Sequence, residues 1–202
     1  PERFTNMTNG VTPRRWLAQA NLGLSDLLDR TLGKGWRLNL DKLAELHKVK
    51  ASAGFRDEFM AIKRANKENL ARLVARDCHV DFDPAALFDV QVKRIHEYKR
   101  QLLNLLHVIH LYNRIKRGDA APWTPRCVLI GGKAAPGYVM AKLIIKLINN
   151  VAQVVNGDKD TQGLLRLAFI PDYRVSVMEV IAPGTDLSEQ ISTAGTEASG
   201  TG

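Results

Sequence analysis

Along the 202 residues the apolar positions follow two different rhythms. Up to about residue 80 they recur at three- and four-residue spacing, the mark of helices that bury one face. Thr12 followed by Pro13 forms a helix start, pairing a hydroxyl able to cap free N–H groups with a ring already fixed at helical φ. A short amphipathic helix is predicted over 22–32, closed by Gly33 and Gly35, and another over 38–46. A long one is predicted over 55–74, where Phe55, Phe59, Ile62, Leu70, Leu73 and Val74 mostly keep helical spacing. A polar gap at 66–69 interrupts that face, and Lys and Arg occupy much of the outer side, with Lys63 read as a surface position. Asp81 to Pro84 ends the helical region.

Beyond that break the rhythm changes. Residues 87–92, 127–130 and 165–170 are short apolar runs of the kind found in buried strands, the last two ending at Gly131-Gly132 and Pro171. Longer helical patterns lie between them. One covers 98–115 with Leu102, Leu105, Leu106, Ile109 and Tyr112 inward; the other covers 138–155 and carries Met140, Leu143, Ile144, Leu147, Val151 and Val154. Strand–helix alternation with short glycine-containing turns predicts an α/β fold, a parallel sheet with crossover helices preceded by a helical segment. Ligands of such sheets sit beyond the carboxyl ends of the strands. Those ends read Lys93-Arg94, Gly131-Gly132-Lys133 and Asp172-Tyr173-Arg174, so each carries a cation, and a phosphate-bearing ligand is the first expectation.

Composition narrows the classes. Apolar residues at 45% suffice for a substantial core, and with charged residues at 25% they exclude collagen-like and disordered chains. No uninterrupted apolar stretch approaches the ~20 residues needed to span a bilayer. Cys78 and Cys127 stand far apart, against a disulfide framework or a zinc site and in favour of a reducing compartment. The 29 Lys and Arg against 21 Asp and Glu give a formal charge of +8, which favours an anionic partner. Its distribution says more than its size, because Lys93, Arg94, Lys99 and Arg100 fall within eight residues. Opening at Pro1 and stopping at Ser199-Gly200-Thr201-Gly202, the chain is expected to be a piece of a longer polypeptide.

The segment 90–100 runs from a strand end into a helix start, where free N–H groups and the helix dipole favour an anion. Four cations there are costly to gather unless something negative neutralises them; a solvated basic turn, with Glu97 pairing a lysine, is the alternative. The turn 131–137 occupies the same topological place but is neither a Walker loop nor G-x-G-x-x-G, so glycines required by the backbone are the favoured reading. The small residues of 195–202 suit either an anion-holding nest or a flexible linker. His107 and His110 lack a third ligand at metal spacing and read as ordinary helix-face residues, so no metal is expected.

Taken together, these segments resemble the α-glucan phosphorylases, the glycogen, starch and maltodextrin phosphorylase family, with the bacterial glycogen phosphorylases nearest. The resemblance rests on Thr8-Asn9-Gly10-Val11-Thr12-Pro13-Arg14-Arg15-Trp16, on 90–103, on the 131–138 turn, and on Asp186-Leu187-Ser188-Glu189-Gln190-Ile191-Ser192-Thr193-Ala194-Gly195 with the tail that follows. It implies a Rossmann-like domain, part of the C-terminal half of a GT-B-type glycosyltransferase, with a helical segment in 1–85 and a partial catalytic and cofactor-binding domain in 86–202. It implies cleavage of the terminal α-1,4 bond of a glucan by inorganic phosphate, releasing α-D-glucose 1-phosphate with retention, and pyridoxal 5′-phosphate as a cofactor that works through its phosphate. A cytoplasmic homodimer without nucleic-acid or membrane partners, completed by the remaining parts of its own chain, is implied as well.

Carried over position by position, Lys99 and Arg94 match the family's cations around the substrate and cofactor phosphates. Trp16, Lys93, Tyr173 and Arg174 match residues lining the cofactor pocket, and Thr201 and Gly202 those holding the cofactor phosphate. Asn9, Tyr98, Glu197, Ser199 and Gly200 match contacts to the transferred glucosyl unit. The family's Schiff-base lysine follows the Gly-Thr-Gly run by a few residues and lies past Gly202, so these residues alone are expected to be inactive. Ile181-Ala182-Pro183-Gly184-Thr185 departs from the family's usual Ile-Pro-Ala-Ala before Asp186.

The chemistry explains the cations. Two phosphoryl groups ~5 Å apart at an effective dielectric of ~20 repel by about 3 kcal/mol for each pair of unit charges, so they must share a proton or be neutralised. The competing readings are a nucleotide-sugar glycosyltransferase of the same architecture, whose diphosphate the strand ends would hold, and a nucleic-acid-binding module that uses the net charge.

Overall fold

A computed structural model of the chain describes residues 5, 11–119 and 123–197. The first helical turns run over Arg14–Gln19 with π-type hydrogen bonding and no side-chain cap; Thr12 contributes its carbonyl, which accepts from the Arg15 and Trp16 amides. Helix α1, Leu22–Leu32, matches its predicted bounds and ends at Gly33, whose φ of 71° suits glycine. The helix expected over 38–46 is instead two stretches of 3₁₀ turns, Lys34–Arg37 and Leu40–Lys48. Between them these turns seat Trp36, which is fully buried and donates its indole N–H to Asp29 at 2.9 Å. Helix α2 is longer than predicted, Ala53–Cys78, and closes at His79 in the left-handed region.

Strand β1 is Leu87–Val92, β2 Arg126–Gly131, β3 Leu165–Ile170 and β4 Leu187–Ser188. All pair in parallel in the order β3-β2-β1-β4, with Val90 level with Leu129, and Leu129 with Ala168. Helices α3 (Gln101–Lys116), α4 (Val139–Gly157) and α5 (Val175–Gly184) complete the α/β order. Strand alternation divides the core between two faces. Phe88, Val90, Cys127, Leu129, Ala168 and Ile170 meet α2 and α5, whereas Val128, Ile130, Leu165 and Leu167 meet α3 and α4.

Two sequence expectations need correction. Leu102 and Leu106 are exposed, and the inward face of α3 is Gln101, Asn104, Leu105, Val108 and Leu111. The helix begins only after Arg100, and that face meets polar groups of β1 and the loop before α3, so amides occupy places assigned to leucines. Lys63 is no free surface lysine: its ammonium donates to the Pro183 carbonyl at 3.1 Å and to that of Thr185, and lies 3.6 Å from Asp186. Helix α4 is long and apolar enough to cross a membrane by length and composition, yet its Ala141, Ile144, Ile148 and Val155 stripe is buried in the core.

The polar gap in α2 now has a cause. Lys67 is buried there and donates to the Ala86 carbonyl at 2.7 Å and to Asp186 Oδ2 at 2.6 Å, while that oxygen also accepts from the Phe88 amide. The pair ties the helical segment to β1 and to the start of β4.

Candidate functional site

The chain leaves β1 at Val92 and does not enter α3 at once. Residues 93–100 form a loop held by backbone and amide groups. The Lys93 amide donates to the Gly131 carbonyl and the Ile95 amide to the Lys133 carbonyl, each at 3.0 Å, so the tips of β1 and β2 stay zipped. Gly132 makes this approach possible: a Cβ there would stand 1.9 Å from the Lys93 carbonyl oxygen. Gly132 is therefore a backbone requirement, as favoured from sequence, whereas Gly137 stands in open space. Inside the loop, Gln91 donates to the Lys99 carbonyl and Gln101 to the Arg94 carbonyl, both at 3.0 Å, and Asn104 donates to Gln91 at 3.1 Å. Arg100 completes the loop in the left-handed region at φ 61°, a strained conformation for a side-chain-bearing residue.

This framework turns two lysines the same way. Lys93 and Lys99 have side chains only 11% exposed, and both meet the carboxylate of Glu197, Lys93 at 3.3 Å and Lys99 more closely. Ser192 also bonds that carboxylate, and the Lys99 ammonium lies 4.9 Å from the centre of the Tyr98 ring. Burial pushes the Glu197 carboxyl up, but the bonds from Lys99 and Ser192 and the charge of Lys93 outweigh it and hold it down at about 2. Burial likewise lowers Lys99, and its bonds to Glu197 and Tyr98 reverse the sign, leaving its ammonium above the ordinary lysine value. Lys99 therefore stays cationic beside an anion already in place, with the Lys93 ammonium on the same carboxylate, and the two form a donor set that an oxyanion such as phosphate can use.

The other candidates are placed as follows. Arg94 is exposed at the β1 tip and makes no salt bridge among the described residues. Tyr173 and Trp16 are half-buried and pack against the same core cluster, on the face covered by α2 and α5. Arg174 lies beyond β3, where Asp172 binds both it, at 3.0 Å, and Lys133, at 2.9 Å. Asn9, Ser199, Gly200, Thr201 and Gly202 lie outside the described residues. The structure thus brings together Lys93, Lys99, Tyr98 and Glu197. Glu97, suggested as a lysine partner, instead accepts from the Tyr138 hydroxyl at 2.5 Å. A concavity of about 400 Å³ lies elsewhere, between α2 and α5, lined by Asn66, Asn69, Arg72, Arg76 and Glu179.

Sequence reasoning missed Gln91, Gln101, Asn104 and Ser192. Two polar residues, Asp89 and Gln91, among the apolar positions of β1, followed by an amide pair three residues apart on the next helix, were the available signal.

Buried cations gathered beyond the strand ends of a parallel sheet define an α/β protein suited to an anionic ligand. The family model described as carbohydrate phosphorylase matches residues 1–202, and the chain belongs to that family. It is 55% identical over its whole length to the glycogen phosphorylase of Chlamydia trachomatis serovar D and to that of Synechocystis sp.. It is 52% identical to the liver form of glycogen phosphorylase from Homo sapiens, again over its whole length. The chain spans about a quarter of the length of these curated relatives, 24–25% of each.

Proposed function

We propose that this chain supplies the phosphate-binding side of an α-1,4-glucan phosphorylase, an enzyme that releases α-D-glucose 1-phosphate from glucan ends using inorganic phosphate. The observation that carries the reading is the convergence of Lys93 and Lys99 on one carboxylate beyond β1, with Arg94 on the same loop. Where Glu197 now meets Lys99, an incoming phosphate oxygen finds the same donor. Lys99 acts as a compact point charge and Arg94 as a planar, bidentate one. Both stay charged while the glycosidic bond breaks, so their stabilisation of negative charge lasts through the transition state. Glu197, held near its sugar-facing neighbours Tyr98 and Ser192, and released from Lys99 as phosphate enters, can accept from a sugar hydroxyl. Asn9, Ser199 and Gly200 complete the glucosyl contacts in this reading.

The residues fit pyridoxal 5′-phosphate in chemistry: Lys93 is a largely buried cation, Arg174 an exposed one, Trp16 and Tyr173 offer apolar faces, and Thr201 with Gly202 would supply backbone and hydroxyl donors. When bound, the cofactor would supply a phosphate able to hold and pass a proton beside the substrate phosphate. Cys78 and Cys127 are free, in keeping with a reducing, cytoplasmic setting, and burial pushes both thiols up to about 11. A homodimeric parent is part of the same proposal.

The decisive experiment uses the intact protein. Pyridoxal absorbance together with glucose 1-phosphate release from glycogen and inorganic phosphate is expected. Binding of a nucleotide sugar without vitamin B6 or orthophosphate dependence would instead establish the nucleotide-sugar transferase.

A further inference from the structure

Strand β1 turns two polar side chains, Asp89 and Gln91, toward the α3 side of the sheet. Gln91 is satisfied by Asn104 and the Lys99 carbonyl. Asp89 is different. It is 0% exposed, and its Oδ2 accepts from Arg126 Nη1 at 2.8 Å, but its Oδ1 has no ordinary donor among the described residues. Strand alternation places another carboxyl, that of Glu189, on the same face of the sheet beside it. The backbone forces this meeting: β4 pairs Ser188 with Val90, and the Glu189 amide donates to the Val90 carbonyl at 2.9 Å.

Two carboxylates in contact repel, whereas a carboxylic acid facing a carboxylate donates a strong hydrogen bond. Burial raises the Asp89 carboxyl, but the Arg126 guanidinium, bonded to its Oδ2 at 2.8 Å, and the bond from Glu189 pull it back, which favours Asp89 as the partner that keeps the charge. We propose that Glu189 is protonated in the folded protein and donates to Asp89, forming a proton-dependent staple that positions the segment 189–197. The other charged or titratable groups facing the pair are Arg126 from β2 and His107 from α3, with His110 one turn further along. Burial and Arg126 both lower His107, so this histidine offers little competing positive charge near neutral pH. Burial and the Asp89 charge both raise Glu189, in agreement with the geometry.

The staple sits at the root of the segment that carries Ser192 and Glu197. Further along, Arg100 donates to the Ile191 carbonyl and the Thr193 amide to the Tyr98 carbonyl, so the root fixes the approach of Glu197 to the lysines. Asp89 and Glu189 are positioning residues, and nothing in the staple depends on what the lysines bind.

The test follows the intact protein and its Glu189→Gln and Glu189→Ala variants by infrared spectroscopy and by amide exchange at Glu189 and Thr193 as a function of pH. A protonated-carboxyl stretch near neutral pH that Glu189→Gln removes is expected. Because the folded Glu189 value is raised, the staple is intact below it and is lost as pH rises through it. Wild-type protection factors should therefore fall about tenfold per unit of pH above that value. Glutamine is a permanent donor and should hold protection flat, whereas alanine should be low at every pH. Identical pH profiles for wild type and Glu189→Gln, or an unchanged infrared band, would overturn the staple. The ¹³C titration of the Glu189 carboxyl in the unsubstituted protein needs no variant, and a midpoint in the ordinary glutamate range would overturn it equally.

Discussion

Two lysine–carboxylate contacts in this chain look alike on paper and are built for different ends. Lys67 reaches Asp186 across 119 residues, and Lys99 reaches Glu197 across 98. Around Lys67 every neighbour is fixed protein: the Ala86 carbonyl, the Phe88 amide on Asp186, and the Phe88 ring 4.7 Å from the ammonium. That contact is closed and holds α2 to the sheet. Lys99 instead shares its carboxylate with Lys93 at the open end of β1, on a loop supported from behind by buried amides. Asp186 faces two lysines as well, Lys67 and, at 3.6 Å, Lys63, but both of those ammoniums also bond backbone carbonyls. Among the described residues the Lys93 and Lys99 ammoniums bond only Glu197 and, for Lys99, Tyr98, and their remaining donor capacity is what a phosphate can use. Completeness of pairing, more than burial, separates the structural contact from the candidate catalytic one.

Substitutions should pull these roles apart. Lys99→Ala in the intact protein is expected to lower phosphorolysis by about 100-fold or more, a loss well beyond its effect on the unfolding midpoint, because Lys93 still faces Glu197. Steady-state rates set beside denaturant unfolding would show it, and an equal loss in Lys50→Ala, at an exposed position, would break the assignment. Lys67→Ala should do the reverse, costing about 3 kcal/mol of stability because it strands a partly buried carboxylate, with activity per folded molecule kept. Gly132→Ala should cost about 1–3 kcal/mol and also reduce activity, since its Cβ must displace the Lys93 carbonyl and with it the lysine.

The smallest effect is in acid. Burial raises the Asp186 carboxyl, but Lys67 and the Phe88 amide pull it below the usual carboxylate value. Its stabilisation is therefore complete above the unfolded carboxylate range and lost as pH falls through the folded value. Glu197 behaves in the same sense, with its loss spread from the ordinary glutamate value of 4.5 down to about 2. Melting curves between neutral and acid pH should show a descending acid limb that shrinks in Asp186→Asn. An unchanged limb would mean that the contact is not coupled to folding.

Much of this molecule was written locally. The bounds of α1, β1 and β3 follow from short-range patterns that tertiary packing had no reason to alter. The tips where Lys93 and Lys99 sit follow from strand ends, and the clustering of cations there is visible in the bare string. The inward face of α3 was not readable, because a leucine stripe and an amide stripe one position apart both fit a helix, and only the polar groups of β1 choose between them. Nor could spacing reveal that Lys63, with a partner 120 residues away, is tied to the end of α5.

By itself, then, the sequence determined the α/β order, the parallel sheet, the family and the set of cations. Only the tertiary structure decided which carboxylate each cation meets, which glycine lets two strand tips touch, and that Asp89 faces Glu189. Periodicity and turn chemistry act over a few residues and can be read along a line. Charge pairing and close approach act across a hundred, and exist only once the sheet has brought distant segments side by side.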